Sequence, residues 1–410
     1  MSTAPVSRAT PRRPSVIVVD AGLLDDDKGH HLSFARGIAA AAAGRGLSAR
    51  VYGAAGAVRS LRRQLPFVPL FRNGVYDIAL AAGWEEATYL GQNAAYRADL
   101  TKIEADLPDG PVVLVFSTVM HNQLAAIGDW MRHLTRQGRA AAGVIQLMMA
   151  PKWAPADRRN EQGPDLYRRA IAACGDLPGR RLFLVAENGA IADEYRDLLG
   201  VDVETLHFPS PAAGAASSSR AAGAPVTIAY VGHSRPEKGY HLLPEIAHRL
   251  RSYPRAKLML HVHHNGEAHM LETEARLRAE CPDAMRTGSL SPAEYARFIA
   301  GADVLLLPYD AVSYGARGSG VLMEAAVAGK PVVVPAGSGM AADLESGLAA
   351  GTTFDSFDAP AIVAGIGRLL DDYDGHRARA ATAALVARGL SNHETYLDRV
   401  LAYLDRAGAT

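Results

Sequence analysis

The sequence predicts an α/β protein made of two doubly wound, parallel-sheet domains that face each other across a cleft. Three observations carry this. Short apolar runs recur at Val16–Val19, Ala49–Tyr52, Ile78–Ala81, Val112–Phe116, Val144–Leu147 and Leu182–Ala186, with helical stretches between them. Strands buried on both faces read as unbroken apolar runs, and their alternation with helices makes a parallel sheet. The stretch from Leu206 to Gly223 is then poor in large apolar residues and rich in Pro, Ser, Gly and Ala, and the strand–helix alternation restarts at Val226–Val231. Finally, 410 residues are enough for two or three domains. The organisation expected is a disordered tail over 1–14, an N-terminal domain over 15–206, a linker over 207–224 and a C-terminal domain over 225–390. The last helix, in 391–410, is placed to pack back on the N-terminal domain.

Composition removes several function classes. Lys plus Arg equals Asp plus Glu, 43 each, so no net field draws the chain to nucleic acid. Hydrophobic residues make up 49% and charged residues 21%, a balance that folds. Cys174 and Cys281 form no CxxC and are too few for a disulfide framework. No run reaches 18 apolar residues, and Val16–Val19 after Arg12-Arg13 is too brief for a signal sequence. The expected location is cytoplasmic.

Taken in order, the first strand leads through Asp20–His31 into a helix from about Leu32 to Ala43. Asp25, Asp26 and Asp27 lack the spacing of a metal loop and read as solvated. Gly29, before His30 and His31 at the helix mouth, permits close approach of a ligand to backbone. Val58–Arg72 mixes Arg59, Arg62, Arg63 and Arg72 with Leu61, Leu65, Phe67, Leu70 and Phe71. Pro66 and Pro69 limit any helix there to about Gly56–Leu65 and leave the apolar remainder as loop. The preferred reading is a packed segment whose arginines reach water; the alternative is peripheral contact with an anionic membrane at its inner face. His121 follows the strand Val112–Phe116 and reads equally well as a hydrogen-bonded structural histidine.

In the second half, Val226–Val231 leads into the loop Gly232-His233-Ser234-Arg235-Pro236-Glu237-Lys238-Gly239 and a helix from about Tyr240 to Leu250. Lys257–Val262 is the next strand and Glu267–Glu280 the next helix. His261 and His263 share one strand face beside His264, with no third ligand evident, so no metal is expected. Ser291-Pro292-Ala293-Glu294 is a capping box. Ser391-Asn392-His393-Glu394 caps the closing helix, with Tyr396, Val400, Leu401 and Leu404 on one face.

Between these lies the stretch from Val304 to Asp343. A buried strand, Val304–Leu307, ends at Pro308; a loop follows, and Ser319-Gly320 opens the alanine-rich helix Val321–Ala328, closed by Gly329. Pro331–Val334 returns as a strand. Free N–H groups at Ser319 and Gly320, with the helix dipole, suit a phosphate. Glu324, one turn in on the same face, can take two ribose hydroxyls. This reads as a nucleoside-diphosphate site.

With both loops placed, the chain resembles the family-4 retaining glycosyltransferases of GT-B fold, most strongly over about 225–345. GxxRPEKG is similar to the family's basic phosphate loop, so the resemblance implies that Gly232, Arg235, Lys238 and Gly239 meet the donor diphosphate. SGVLMEAAVAGKPVVVP resembles the segment carrying the second Glu of a Glu-x7-Glu motif, which implies that Ser319, Gly320 and Glu324 bind the nucleotide. Gly29 and His30 match the N-terminal glycine loop near the donor, and His121 stands where the family often keeps a histidine near the transferred sugar. The first Glu of the motif is Ala316 here, with Arg317 beside it as a substitute, and His233 stands where the family's arginine usually follows the glycine. The implied activity moves a sugar from a nucleotide-diphosphate donor to a glycan, lipid-linked or small-molecule acceptor with retention. It needs no cofactor or metal, because fixed cations steady the leaving diphosphate. Three alternatives stay open. One is a nucleotide-sugar 2-epimerase of the same architecture, and another a non-catalytic nucleotide-sugar-binding protein. The third is a dehydrogenase, since Gly337–Ala342 matches GxGxxA with Asp358 about 20 residues on.

Overall fold

A computed structural model describes residues 13–24, 29–75, 86–153, 160–210, 220–221 and 223–409. The N-terminal sheet contains β1 (Ser15–Val19), β2 (Ser48–Ala54), β3 (Phe67–Phe71), β4 (Val112–Phe116), β5 (Ala141–Leu147), β6 (Leu182–Ala186) and β7 (Val203–Thr205). Their order is β3-β2-β1-β4-β5-β6-β7, every pairing parallel. Helices α1 (Gly29–Gly44), α2 (Leu61–Gln64), α3 (Glu86–Ile103), α4 (His121–Arg136), α5 (Gly163–Cys174) and α6 (Gly189–Leu199) connect them. Two apolar clusters bury its faces, one around Phe116, Trp130 and Tyr167, the other around Phe34, Val115 and Phe183.

The C-terminal sheet repeats the plan with β8 (Val226–Tyr230), β9 (Ala256–Val262), β10 (Met285–Thr287), β11 (Val304–Leu306), β12 (Val332–Pro335) and β13 (Gly351–Phe354), in the order β10-β9-β8-β11-β12-β13 and again parallel. Its helices are α7 (Leu243–Leu250), α8 (Ala268–Glu280), α9 (Pro292–Gly301), α10 (Gly320–Ala328), α11 (Gly339–Glu345), α12 (Ala359–Asp371) and α13 (Tyr373–Leu390). The predicted capping box forms: the Ser291 hydroxyl accepts from the Glu294 amide at 3.3 Å, and the Glu294 carboxylate accepts from the Ser291 amide at 2.9 Å.

The chain crosses between domains twice, side by side. Ser210 N donates to the Ser391 carbonyl at 3.2 Å, and the Ser391 hydroxyl donates to the Phe208 carbonyl at 2.9 Å. Beyond that crossing, α14 (His393–Arg406) lies on the N-terminal sheet. Tyr396, Leu397, Val400 and Leu404 are buried there, each worth about 1.5–3 kcal/mol, which is ample to hold one helix. The Tyr396 hydroxyl donates to Gln146 Oε1 at 2.9 Å. Gly37 makes room for the His393 ring, which would stand 2.1 Å from a Cβ at that position.

One expectation changes. Phe67–Phe71 is a strand, not loop; Pro69 is tolerated because β3 lies at the sheet edge with a single neighbour. Leu61, Leu65, Phe67 and Phe71 are buried and Leu70 half-buried, while Arg59, Arg62 and Arg63 are exposed, so the packed reading of this segment holds. The expected strand Ile78–Ala81 and the Asp25–Asp27 run lie outside the described residues. Among those residues, no helix is long and apolar enough to cross a membrane.

Each sheet reverses its strand order once, between β1 and β4 and between β8 and β11. In open α/β sheets ligands settle beyond the carboxyl ends of the strands at such a reversal. The loops after β8 and β11 hold the basic and glycine-rich motifs, and those after β1 and β4 hold His30 and His121.

Candidate functional site

The loop after β8 turns twice through glycine. Gly232 has φ +107° and Gly239 φ +68°. A Cβ on Gly239 would stand 2.0 Å from the Pro308 carbonyl oxygen, so only glycine lets this turn press against the β11 loop. Between them Ser234 is buried and bonded on two sides to His263, its amide donating to the His263 carbonyl at 2.7 Å and its hydroxyl accepting from the His263 amide at 3.2 Å. Pro236–Lys238 forms one 3-10 turn, and Gly239 closes it.

This turn aims Arg235 and Lys238 at the β11 loop. Arg235 Nε lies 2.8 Å from the buried Glu237 carboxylate, and Nη2 donates to the Tyr314 hydroxyl at 3.3 Å. Lys238 Nζ sits 5.3 Å from the centre of the Tyr309 ring. The Arg317 guanidinium lies 4.8 Å over the Tyr314 ring, and the two tyrosine rings are 4.5 Å apart. Burial, with the nearby Arg235 and Arg317 charges, brings the Lys238 ammonium down to about 7. Burial lifts Glu324 to about 7, although the Tyr295 hydroxyl that donates to it and the Lys238 charge favour its carboxylate. Lys238 is therefore a cation whose charge burial and its two guanidinium neighbours disfavour, and an anion beside it would relieve that.

Ser319 caps α10, its hydroxyl accepting from the Leu322 amide at 3.3 Å, and Gly320 is the first helical residue. Arg235, Lys238, Arg317 and Glu324 thus share one pocket wall with Gly232 and the start of α10. The N-terminal candidates stand in the other domain. His30, the second residue of α1 and just after Gly29, stacks on His31 at 4.2 Å and packs edge-on to Phe208 at 5.1 Å. Burial and the His31 charge push it down to about 3. His31 Nδ1 pairs with the Asp20 carboxylate at 2.9 Å. His121 opens α4; its Nε2 is 3.3 Å from Asn160 Nδ2 and its ring 5.2 Å from that of Tyr167. Burial brings it to about 4, so it is neutral at ordinary pH. His261 and His264 are engaged elsewhere, with the Gly288 carbonyl at 2.7 Å and with Glu274 at 3.0 Å.

Sequence reasoning missed the tyrosines that shape the cationic pocket, and it missed Glu187 and Asn188. These two residues follow β6 and touch the β11 loop from the opposite domain. Glu187 Oε1 accepts from the Gly318 amide at 3.1 Å, and Asn188 Nδ2 donates to the Ala316 carbonyl at 3.0 Å. The available signal was a charged residue at the carboxyl end of an apolar strand, the place where ligands collect.

The comparisons agree with this geometry. The family model of the glycosyl transferases group 1 matches residues 225–372. A search of curated proteins finds no match. Among solved structures, sucrose-phosphate synthase from Thermosynechococcus elongatus superposes with a TM-score of 0.67 at 14% identity, over 97% of this chain and 100% of that one. Anabaena HepE in complex with UDP and glucose gives 0.64 at 14% identity, over 95% and 99%. Trehalose-6-phosphate synthase OtsA gives 0.64 at 12% identity, over 95% and 99%. At such identities the likeness establishes the fold. The chain therefore takes the two-domain GT-B architecture, and over residues 225–372 it is similar to the glycosyl transferases group 1.

Proposed function

We propose that the protein transfers a sugar from a nucleoside-diphosphate sugar to an acceptor hydroxyl, with retention of anomeric configuration. The observation that carries this is the convergence of Arg235, Lys238 and Arg317 with Glu324 at the reversal point of the C-terminal sheet. In this reading the three cations meet the diphosphate, and the amides of Ser319 and Gly320 add the helix dipole. Glu324 takes the ribose hydroxyls, with the Tyr295 hydroxyl fixing its orientation. As the bond from the anomeric carbon to the diphosphate oxygen breaks, the leaving group gains charge where these cations already stand. The acceptor oxygen bonds to the anomeric carbon on the same face, and its proton passes to the departing diphosphate. His121 belongs to the acceptor side as a neutral hydrogen-bonding group.

Solved neighbours that hold UDP, or UDP-glucose in HepE, support uridine as the first base to try. Calorimetry with UDP, GDP and ADP tests the donor site, and absence of binding by all three would overturn the reading. Proton NMR of the product's anomeric coupling checks retention. Activity that survives EDTA is expected, since the residues in place supply the positive charge; loss with EDTA and recovery with manganese would show that a metal shares the work. The acceptor is a glycan, a lipid-linked sugar or a small molecule, and the acceptor-side residues lie in the N-terminal domain.

A further inference from the structure

Two consecutive residues of the N-terminal domain hold a three-residue loop of the other domain by both of its ends. Asn188 caps α6 by accepting from the Ile191 amide at 2.9 Å, and this fixes its side chain so that Nδ2 reaches the Ala316 carbonyl at 3.0 Å. Glu187 Oε1 takes the Gly318 amide at 3.1 Å. The fit is close: a Cβ on Gly318 would stand 2.3 Å from that carboxylate oxygen. Arg317 lies between the two anchors. Its guanidinium covers Tyr314, whose hydroxyl accepts from Arg235, and its charge is felt by Glu187 on one side and by Lys238 on the other. The third cation of the pocket is therefore carried on a segment that the opposite domain holds in place. The two domains have separate cores, and the chain passes between them at the paired crossings of Ser210 and Ser391.

We infer that Glu187 is a positioning residue: from the N-terminal domain it fixes Ala316–Gly318 so that Arg317 joins Arg235 and Lys238. This rests on the reading of the pocket as a diphosphate site. Glu187 touches neither donor nor acceptor in this role. It acts through the Gly318 amide and, because burial lifts its carboxyl to about 7 against the pull of that amide and Arg317, through a partial charge presented to Arg317.

The test is a mutant cycle read by calorimetry of UDP binding to the full-length protein. Glu187→Ala should weaken UDP about tenfold, and Glu187→Gln, which keeps the shape and the amide contact but loses the charge, about threefold. Gly318→Ala should match Glu187→Ala, because the added methyl displaces the loop. In an Arg317→Ala background, Glu187→Ala should add nothing; a purely structural defect would instead add its full effect there. Wild-type affinity in Glu187→Ala and Glu187→Gln, or full additivity with Arg317→Ala, overturns the inference. Lys238→Ala separates the two levels: if it also leaves UDP binding intact, the diphosphate reading itself has failed. If Lys238→Ala weakens binding and the Glu187 variants do not, only the positioning role is lost.

Discussion

The two strand-order reversals of this molecule are topologically alike and electrostatically opposite. At the C-terminal one, Arg235, Lys238 and Arg317 gather with the buried Glu237, paired to Arg235, and the half-buried Glu324, held by Tyr295. Burial and mutual repulsion leave Lys238 barely able to keep its proton at neutral pH. At the N-terminal one, His31 is matched to Asp20, and His30 and His121 are held neutral by burial. One end gathers cations, and the other holds neutral histidines beside buried polar groups such as Thr118 and Asn122 that lack a hydrogen-bond partner among the described residues. In the proposed reading, the anionic donor belongs to the cationic reversal and a neutral hydroxylated acceptor to the other.

The largest expected effect tests that division directly. Lys238→Ala and Arg235→Ala should each weaken nucleoside-diphosphate binding by about 1.5–3 kcal/mol, the scale of a hydrogen bond to a charged group. His30→Ala should leave it unchanged. Calorimetry on the three variants decides, and equal losses at both ends would erase the contrast.

Next comes pH. Lys238 lies near 7 in the empty protein, well below its ordinary 10.5. A bound diphosphate adds opposite charge and raises it, so above pH 7 binding must take up a proton. Affinity should be greatest near 7 and fall above it by as much as tenfold per pH unit, about 1.4 kcal/mol. Glu324, also near 7, acts in the other sense: ribose hydroxyls favour its carboxylate, so it releases a proton below 7. Heats measured at pH 8 in buffers of different ionisation enthalpy should therefore report net uptake, abolished in Lys238→Ala. His30 and His121, near 3 and 4, add no step in this range.

A smaller effect is expected from His121→Ala: unchanged UDP affinity with turnover lowered about five- to tenfold, the value of one neutral hydrogen bond. A matching loss of UDP affinity would move His121 to the donor side.

Much of this was legible in the sequence, and the pattern of what was not is physical. The interior strands β1, β2, β4, β5, β6, β8, β9, β11 and β12 all announce themselves as apolar runs. The strands that escaped, β3, β7, β10 and β13, are the four sheet edges. An edge strand has one neighbour, so it can carry Pro69, or be as polar as Val203-Glu204-Thr205, without exposing the core. The cationic wall was readable because glycine, lysine and arginine at fixed spacing after a strand have a chemical reason to be there. The tyrosines around it and the Glu187–Asn188 clasp were not, because they are contacts across long sequence separations: Gly318 meets Glu187 from another domain. Local pattern carries no record of such pairings.

The smallest expected effect concerns Val58–Arg72, and it tests how far the N-terminal domain is neutral on its outer surface. Arg72 is committed, its Nε 3.0 Å from the Asp99 carboxylate. Arg59, Arg62 and Arg63 remain exposed, whereas Leu61, Leu65, Phe67 and Phe71 face inward and are unavailable for insertion into a bilayer. Attraction to an anionic membrane could then come only from charge, screened over a Debye length of about 8 Å at physiological salt. The expected outcome is weak co-sedimentation with phosphatidylserine vesicles at low salt, absent near 0.15 M (about physiological ionic strength) and absent at any salt when Arg59, Arg62 and Arg63 become Glu. Binding that persists in salt would require apolar anchoring, and so a rearrangement that exposes Phe67 or Phe71. That result would point to a lipid-linked acceptor presented at a membrane; the salt-sensitive one leaves a soluble acceptor as the simpler match to the polar N-terminal reversal.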